Sequence, residues 1–148
     1  MARASGKTTI NAPADVVWQV IGDFGAACRY LAGVVNCTVE GEGVGALRTS
    51  TYADGTTIVE RLEALDDVAH RLSYALLSDT PFRNCLTTVM VRDLGQGQCE
   101  VAWAATFDAD GLPESEAVEM LEGAFELNGR ALQRFIDACP PLWDKREL

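Results

Sequence analysis

Between residues 34 and 107 the chain carries six strand-like segments in an unbroken row, and this run limits the possible folds more than any other feature. In most of these segments apolar and polar residues alternate with a period of two, which is typical of β-strands that bury one face. Turn residues separate the segments; Asp54 and Gly55, for example, predict a two-residue hairpin turn. Because consecutive strands joined by short turns pair antiparallel, the run predicts an antiparallel sheet.

Further segments on either side of this run complete the predicted fold. The segment "KTTINAP" predicts one more strand, and "ADVVWQVIGDFGAACRYL" predicts two short helices, since Gly22 and Gly25 interrupt the helical spacing. The segment "DADGLPESE" leads into one long helix, which we expect to stop at Cys139 ahead of two prolines. The predicted class is α+β: a seven-stranded antiparallel sheet whose buried face is covered by the apolar stripe of the C-terminal helix. We expect one domain over residues 1–148.

Composition and charge exclude several classes of function. The formal net charge is −10, whereas nucleic acids and anionic membranes require a basic surface, so we expect no nucleic-acid partner and no membrane insertion. No apolar run approaches the length of a signal peptide core or a membrane span. The five cysteines are widely spaced without a CxxC pair, which favours reduced thiols in a cytoplasm. Because His70 is the single histidine and no ligands cluster, we expect neither a metal site nor a cofactor.

One polar residue interrupts the apolar stripe of the long helix. At about 100° per residue, Asn128 falls among Leu121, Phe125, Leu132 and Phe135, in the middle of the stripe. A buried carboxamide without a hydrogen bond would destabilise the fold by about 1–3 kcal/mol. The sequence leaves two explanations open: Asn128 contacts a bound molecule, or it bonds to a backbone carbonyl or a buried water.

Several short patches resemble a known superfamily. They are "INAPADVVWQVIGDFGAACRYLAGV", "GVGALRT", "ADGTTIVERLEALDD", "LSYALL" and "VAWAATFDADG". From about Lys7 to Asp137 the chain resembles the polyketide cyclase/START-like (SRPBCC) superfamily, bacterial polyketide cyclase family 2 type. The resemblance implies the helix-grip fold of the birch-pollen-allergen-like (Bet v 1-like) proteins. There a curved sheet wraps around the C-terminal helix, and the cavity between them holds a small hydrophobic or amphipathic molecule.

Two positions depart from the pattern of that superfamily. Tyr30 and Ala32 stand where such chains often have Trp and then Pro, and Cys85 stands where a tyrosine is frequent. Both differences alter the lining of the implied cavity, so a particular ligand does not follow from the resemblance. In helix-grip proteins the short helices border the mouth of the cavity, which makes Tyr30 a candidate ligand contact.

Strand alternation predicts which other side chains face the helix. On "TTIVERLEAL" the more apolar set is Ile58, Leu62 and Ala64, and Glu60 shares its face. The same reasoning places Tyr74 and Trp103 inward on their strands. The strand "ALRTSTY" is ambiguous, because Arg48 and Tyr52 share one face while Leu47, Thr49 and Thr51 share the other.

These assignments give a mostly apolar chamber with a few polar groups, the composition of a small-molecule pocket. The candidate ligand contacts are Tyr30, Tyr74, Trp103, Phe125 and Asn128. Glu60 is expected to act as a neutral hydrogen-bond donor or as a general base with a pKa raised by burial. Two alternatives for Glu60 stay open, a static ion pair with Arg48 and a bulge that exposes the carboxylate. Trp103, Tyr74 and Phe125 also fit a role as core or cavity wall.

Three functions are compatible with this pattern. The first is the binding of a small hydrophobic or amphipathic ligand, with Asn128 and Glu60 as polar anchors. The second is a polyketide cyclase or dehydratase type of enzyme, in which Glu60 moves protons and Arg48 or Tyr74 polarises a carbonyl. The third is a protein-interaction module with a collapsed cavity, which Glu60 and Asn128 disfavour because they fill a dry core poorly.

Overall fold

The computed structural model describes residues 1–138. The predicted end of the long helix at Cys139 lies outside the described residues. In chain order the secondary-structure elements are β1 (Ala2–Ile10), α1 (Ala14–Ile21), a 3-10 helix (Phe24–Arg29), β2 (Val34–Glu40), β3 (Leu47–Tyr52), β4 (Thr57–Asp66), β5 (Arg71–Leu76), β6 (Phe82–Gly95), β7 (Gln98–Ala109) and α2 (Glu114–Ala138).

The seven strands form one antiparallel sheet in the order β1-β7-β6-β5-β4-β3-β2. From β2 to β7 each strand pairs with its neighbour in the chain, as the run of short turns predicted. β1 pairs with β7, so the short helices that follow it carry the chain across to β2 at the opposite edge. The prediction of an α+β fold with two short helices after the first strand is confirmed.

Two local predictions are wrong in detail. The hairpin between β3 and β4 has a three-residue loop, since the Tyr52 N–H donates to the Thr56 carbonyl, with Gly55 at a positive φ of 88°. On β4 the pairing with β5 shifts between Leu62 and Ala64. One extra residue reverses the alternation beyond it. Ala64 is therefore exposed, while Leu65 packs against the core.

Helix α2 lies against β1 and, to a lesser extent, β7. Two glycines permit this close approach: a Cβ atom built on Gly6 would lie 3.0 Å from the Phe125 Cβ, and one built on Gly129 would lie 2.9 Å from the Thr8 Cβ. Along one flank of α2, Glu122 and Gln133 accept hydrogen bonds from backbone N–H groups at the free edge of β1. The opposite flank of the helix is consequently turned toward the other half of the sheet.

Alanine substitutions at Gly129 and Gly123, both on α2, are expected to change the free energy of unfolding in opposite directions. We expect Gly129→Ala to lower the free energy of unfolding by about 1–3 kcal/mol, because the added methyl overlaps Thr8 against the sheet. A methyl group added at Gly123, on the preceding part of the helix, would meet no atom within 4 Å, so Gly123→Ala should stabilise the helix by about 0.5–1 kcal/mol. Urea unfolding of both variants measures the difference. Equal shifts in the same direction would contradict close packing at Gly129.

Neither of the two α-helices described over residues 1–138 combines the length and the apolar character that crossing a membrane requires.

Candidate functional site

An ion pair between Arg48 and Glu60 lies on the inner face of the sheet. The two residues are direct partners in the register of β3 and β4. Arg48 donates to Glu60 Oε1 twice, from Nη2 at 2.7 Å and from Nε at 3.1 Å. The side chains are 3% and 14% exposed. The ambiguity of β3 is therefore resolved: Arg48 faces inward together with Ser50 and Tyr52.

The Arg48 guanidinium makes further contacts beside those with Glu60. Its Nη1 donates to the Phe24 carbonyl at 3.2 Å. Its Cζ lies 4.2 Å from the centre of the Phe24 ring and 4.9 Å from the centre of the Tyr74 ring. Both aromatic faces attract the cation. Arg48 thus holds Glu60 in place and fixes the 3-10 helix, which begins at Phe24, to the sheet.

Two tyrosines complete the polar cluster. Tyr30 is 7% exposed and lies close enough to feel both charges of the ion pair, as does Tyr74. Burial raises the pKa of Tyr30, and Glu60 adds to that rise while Arg48 opposes it. Burial and then Glu60 raise the pKa of Tyr74, again against Arg48. Both phenols therefore stay protonated at neutral pH.

Arg48 keeps its positive charge at neutral pH. Burial lowers the pKa of the guanidinium, but Glu60 and the neighbouring tyrosines raise it by more, so the net pKa lies above the ordinary arginine value. Arg48 can therefore serve as a permanent cation, and it cannot act as a proton donor at neutral pH.

The inner face of the sheet divides into a closed half and an open half. On β5–β7 the inward side chains of Leu72, Val89, Val101, Trp103 and Phe107 are buried. On β3–β5 the inward side chains of Tyr52, Ile58, Glu60, Tyr74 and Leu76 remain half-buried, whereas Arg48, Ser50 and Leu62 on the same strands are buried. Among the described residues, α2 makes no substantial contact with β3–β5. The open half therefore leaves space accessible to solvent or a ligand.

The flank of α2 that faces this open half is half-buried as well. Its residues are Leu121, Asn128, Ala131 and Phe135. The fully buried residues of the helix are Ala117, Phe125, Gly129, Leu132 and Ile136. Their centre lies about 50° around the helix from Asn128. The prediction that Asn128 occupies the middle of the buried stripe is wrong, because the stripe is set by the contact with β1.

Asn128 has a hydrogen bond to the backbone across the open half. Its Oδ1 accepts from the Ala32 N–H at 3.2 Å, and Ala32 follows directly on the short helices. The carboxamide therefore joins the loop before β2 to α2. Its backbone partner is a donor, the Ala32 N–H, and not the backbone carbonyl expected from the sequence. The opposite, nitrogen end of the carboxamide has no protein acceptor among residues 1–138.

Trp103 and Phe125 lie apart from the ion pair, within the closed half. Their rings stack at 6.2 Å between centres with 11° between planes, and the residues are 3% and 4% exposed. They join β7 to α2 beside Gly6. The structure therefore brings together four of the predicted site residues, Arg48, Glu60, Tyr30 and Tyr74. Asn128 lies at the far side of the open half. Trp103 and Phe125 lie apart from that cluster and from Asn128.

Phe24 is the site residue that sequence reasoning missed. Its ring and its carbonyl both contact Arg48. The sequence places Phe24 between two glycine interruptions, "GDFG", where periodicity assigns no face, and a backbone carbonyl carries no sequence pattern at all. Ser50, 1% exposed, was also missed, although the alternation would have found it once Arg48 was known to face inward.

A surface pocket of about 320 Å³ adjoins the open half at the end of β5. Its lining comes from Leu76 at the end of β5, from residues 77–80 of the following loop, and from Phe82, Arg83 and Asn84 at the start of β6. Within residues 1–138, no three His, Cys, Asp or Glu side chains group closely enough to hold a metal ion.

Comparison with known proteins identifies similar chains. The model of the family described as polyketide cyclase / dehydrase and lipid transport matches residues 1–138. A solved structure of the protein XoxI from Bacillus cereus is 28% identical, with a TM-score of 0.85 over 93% of this chain and 98% of that one. A solution structure from Thermobifida fusca is 31% identical, with a TM-score of 0.80 over 91% and 93% of the two chains.

A shorter stretch is similar to a plant receptor. The abscisic acid receptor PYL7 of Arabidopsis thaliana is 36% identical over 72 residues, which make up 46% of this chain and 34% of the receptor. The match therefore spans about a third of the length of this curated relative.

Proposed function

The chain belongs to the polyketide cyclase / dehydrase and lipid transport family, and from this premise we propose that it binds a small hydrophobic or amphipathic molecule between the sheet and α2. The observation that carries the proposal is the open half of the inner face. The inward apolar and aromatic side chains of Tyr52, Ile58, Tyr74 and Leu76 surround one ion pair, and they stay half-buried opposite a half-buried flank of α2. Concave apolar surface with a few fixed polar groups is typical of small-molecule sites.

The plant relative supports the same class of ligand. PYL7 is by its name a receptor for abscisic acid, so it supports a small organic ligand and not a particular polar group on that ligand. The stretch it shares with this chain covers a third of the receptor, so the ligand class is proposed here and the particular ligand is not.

We also propose a cytoplasmic site of action, which the four described cysteines support, since all are free thiols.

A probe titration with two tryptophan substitutions on α2 tests the proposal. Ala131 faces the open half and Leu127, 53% exposed, faces solvent. The probe is N-phenyl-1-naphthylamine, a neutral dye whose fluorescence increases in apolar surroundings. We expect the unmodified protein to enhance the fluorescence, and Ala131→Trp to weaken binding at least about tenfold, because the indole takes up space that the dye needs. Leu127→Trp should bind as the unmodified protein does.

Two results would contradict the proposal. One is the absence of any saturable enhancement by the unmodified protein. The other is equal loss of binding in both variants, which would place the dye on the helix surface. Circular dichroism and a melting curve for each variant ensure that only folded proteins are compared.

Cyclase or dehydrase chemistry in the same space is the second candidate. The observation that favours it is Glu60, since only one of its two carboxylate oxygens is used by Arg48. The other oxygen is available for proton transfer to a bound substrate. In a binder, Glu60→Gln lowers ligand affinity modestly, whereas in an enzyme the same change abolishes turnover and leaves KM nearly unchanged. Tyr30 and Tyr74 suit the role of neutral hydrogen-bond donors, because their raised pKa values keep both phenols protonated.

A further inference from the structure

The hydrogen bonds between Arg48 and Glu60 use only one of the two carboxylate oxygens of Glu60. Every donation from Arg48 to Glu60 goes to Oε1. Within residues 1–138, Glu60 Oε2 has no hydrogen-bond donor from the protein. The Glu60 side chain keeps 14% of its surface exposed on the open half, where the proposed binding space lies.

Arg48, in contrast, is shielded from a ligand. Nε and Nη2 bond to Glu60, Nη1 bonds to the Phe24 carbonyl, and the rings of Phe24 and Tyr74 pack against the guanidinium. The side chain is 3% exposed. Arg48 is therefore a positioning residue, which acts on a ligand through the orientation of Glu60.

The charge balance of the site follows from these contacts. Arg48 and Glu60 neutralise each other, and no other arginine or lysine of residues 1–138 is buried. A ligand carboxylate in this space would be an uncompensated negative charge close to Glu60, and the low dielectric of the interior makes such a charge unfavourable. A hydroxyl group adds no charge, and it can donate to the free carboxylate oxygen.

We infer that the polar group of the ligand is a hydroxyl donor, a phenol or an alcohol, held by Glu60 Oε2, and that the site discriminates against carboxylates. This inference rests on the proposed function, because it assigns the chemical class of the molecule that occupies the open half. Hydrogen bonds to an ionised acceptor are stronger than those between neutral groups, so the preference is large enough to measure.

Three naphthalenes of similar size test the inference by competition with N-phenyl-1-naphthylamine at pH 7. They are 2-naphthol, a neutral donor; 2-methoxynaphthalene, which has the oxygen and no donor; and 2-naphthoate, an anion. We expect 2-naphthol to bind at least about tenfold more tightly than either of the others. A site held together by apolar contacts alone would bind 2-methoxynaphthalene at least as well.

The variant Glu60→Gln provides a readout that a structural role would not change. It removes the negative charge and leaves the positive charge of Arg48 uncompensated, so the preference for 2-naphthol over 2-naphthoate should fall at least about tenfold and tend to invert. Glu63→Gln is the matched control, since it removes the same charge from an exposed position on the same strand. We expect Glu63→Gln to keep the preference of the unmodified protein.

The outcomes separate the two proposals. If neither the dye nor any naphthalene binds, the proposed function fails. If all three naphthalenes bind but 2-naphthoate equals or exceeds 2-naphthol, ligand binding stands and the hydroxyl preference is overturned. An unchanged preference in Glu60→Gln would likewise overturn the assignment of Glu60 as the acceptor.

Discussion

Replacing Arg48 by methionine is expected to lower the free energy of unfolding by about 3–5 kcal/mol, the range seen when one partner of a buried ion pair is removed. The substitution leaves the Glu60 carboxylate, whose side chain is only 14% exposed, without a counter-charge. It also removes the bond to the Phe24 carbonyl and the contacts of the cation with two aromatic rings. Urea denaturation followed by circular dichroism measures the loss.

A double variant and a surface pair control this experiment. Arg48→Met combined with Glu60→Leu should recover most of the lost stability, because two apolar side chains replace a buried pair without leaving a charge behind. Arg61 and Glu63 form an ion pair on β4 at 3.0 Å with side chains 44% and 35% exposed. Arg61→Met should cause little change. A loss at Arg61 comparable to that at Arg48 would contradict the view that burial sets the strength of the Arg48 pair.

Replacing Trp103 by leucine is expected to lower the free energy of unfolding by about 2–4 kcal/mol while the affinity for N-phenyl-1-naphthylamine stays the same within about twofold. Trp103 is 3% exposed and stacks on Phe125 in the closed half, so its loss leaves a cavity between β7 and α2. The affinity for the dye should not change, because Trp103 lies in the closed half and the proposed binding space lies over β3–β5. Denaturation and dye titration of the same preparation give both quantities.

Tyr74→Leu, in contrast to Trp103→Leu, is expected to change the affinity for the dye. Tyr74 is half-buried on the open half and covers one face of Arg48, so its replacement should weaken dye binding by a larger factor than Trp103→Leu does. Should Trp103→Leu weaken the dye as much as Tyr74→Leu, Trp103 would line the binding space, as strand alternation alone first indicated.

The predicted site residues illustrate what a sequence pattern can and cannot give. Alternation placed Glu60, Tyr74 and Trp103 on the inner face correctly, since side chains of a paired strand must point to alternate sides. It could not tell the open half from the closed half. That distinction depends on where α2 rests, and α2 rests on β1 because Gly6 and Gly129 let the two backbones approach.

The sequence by itself determined the order of the elements, the antiparallel sheet and the family of this chain, because these depend on local periodicity, on turn residues and on short similar segments. The tertiary structure alone decided how Asn128, Arg48 and Glu60 are used. The buried face of α2, centred about 50° from Asn128, and the carbonyl of Phe24 set those contacts. Such features arise from packing between segments distant in the chain, and no pattern within one segment records them.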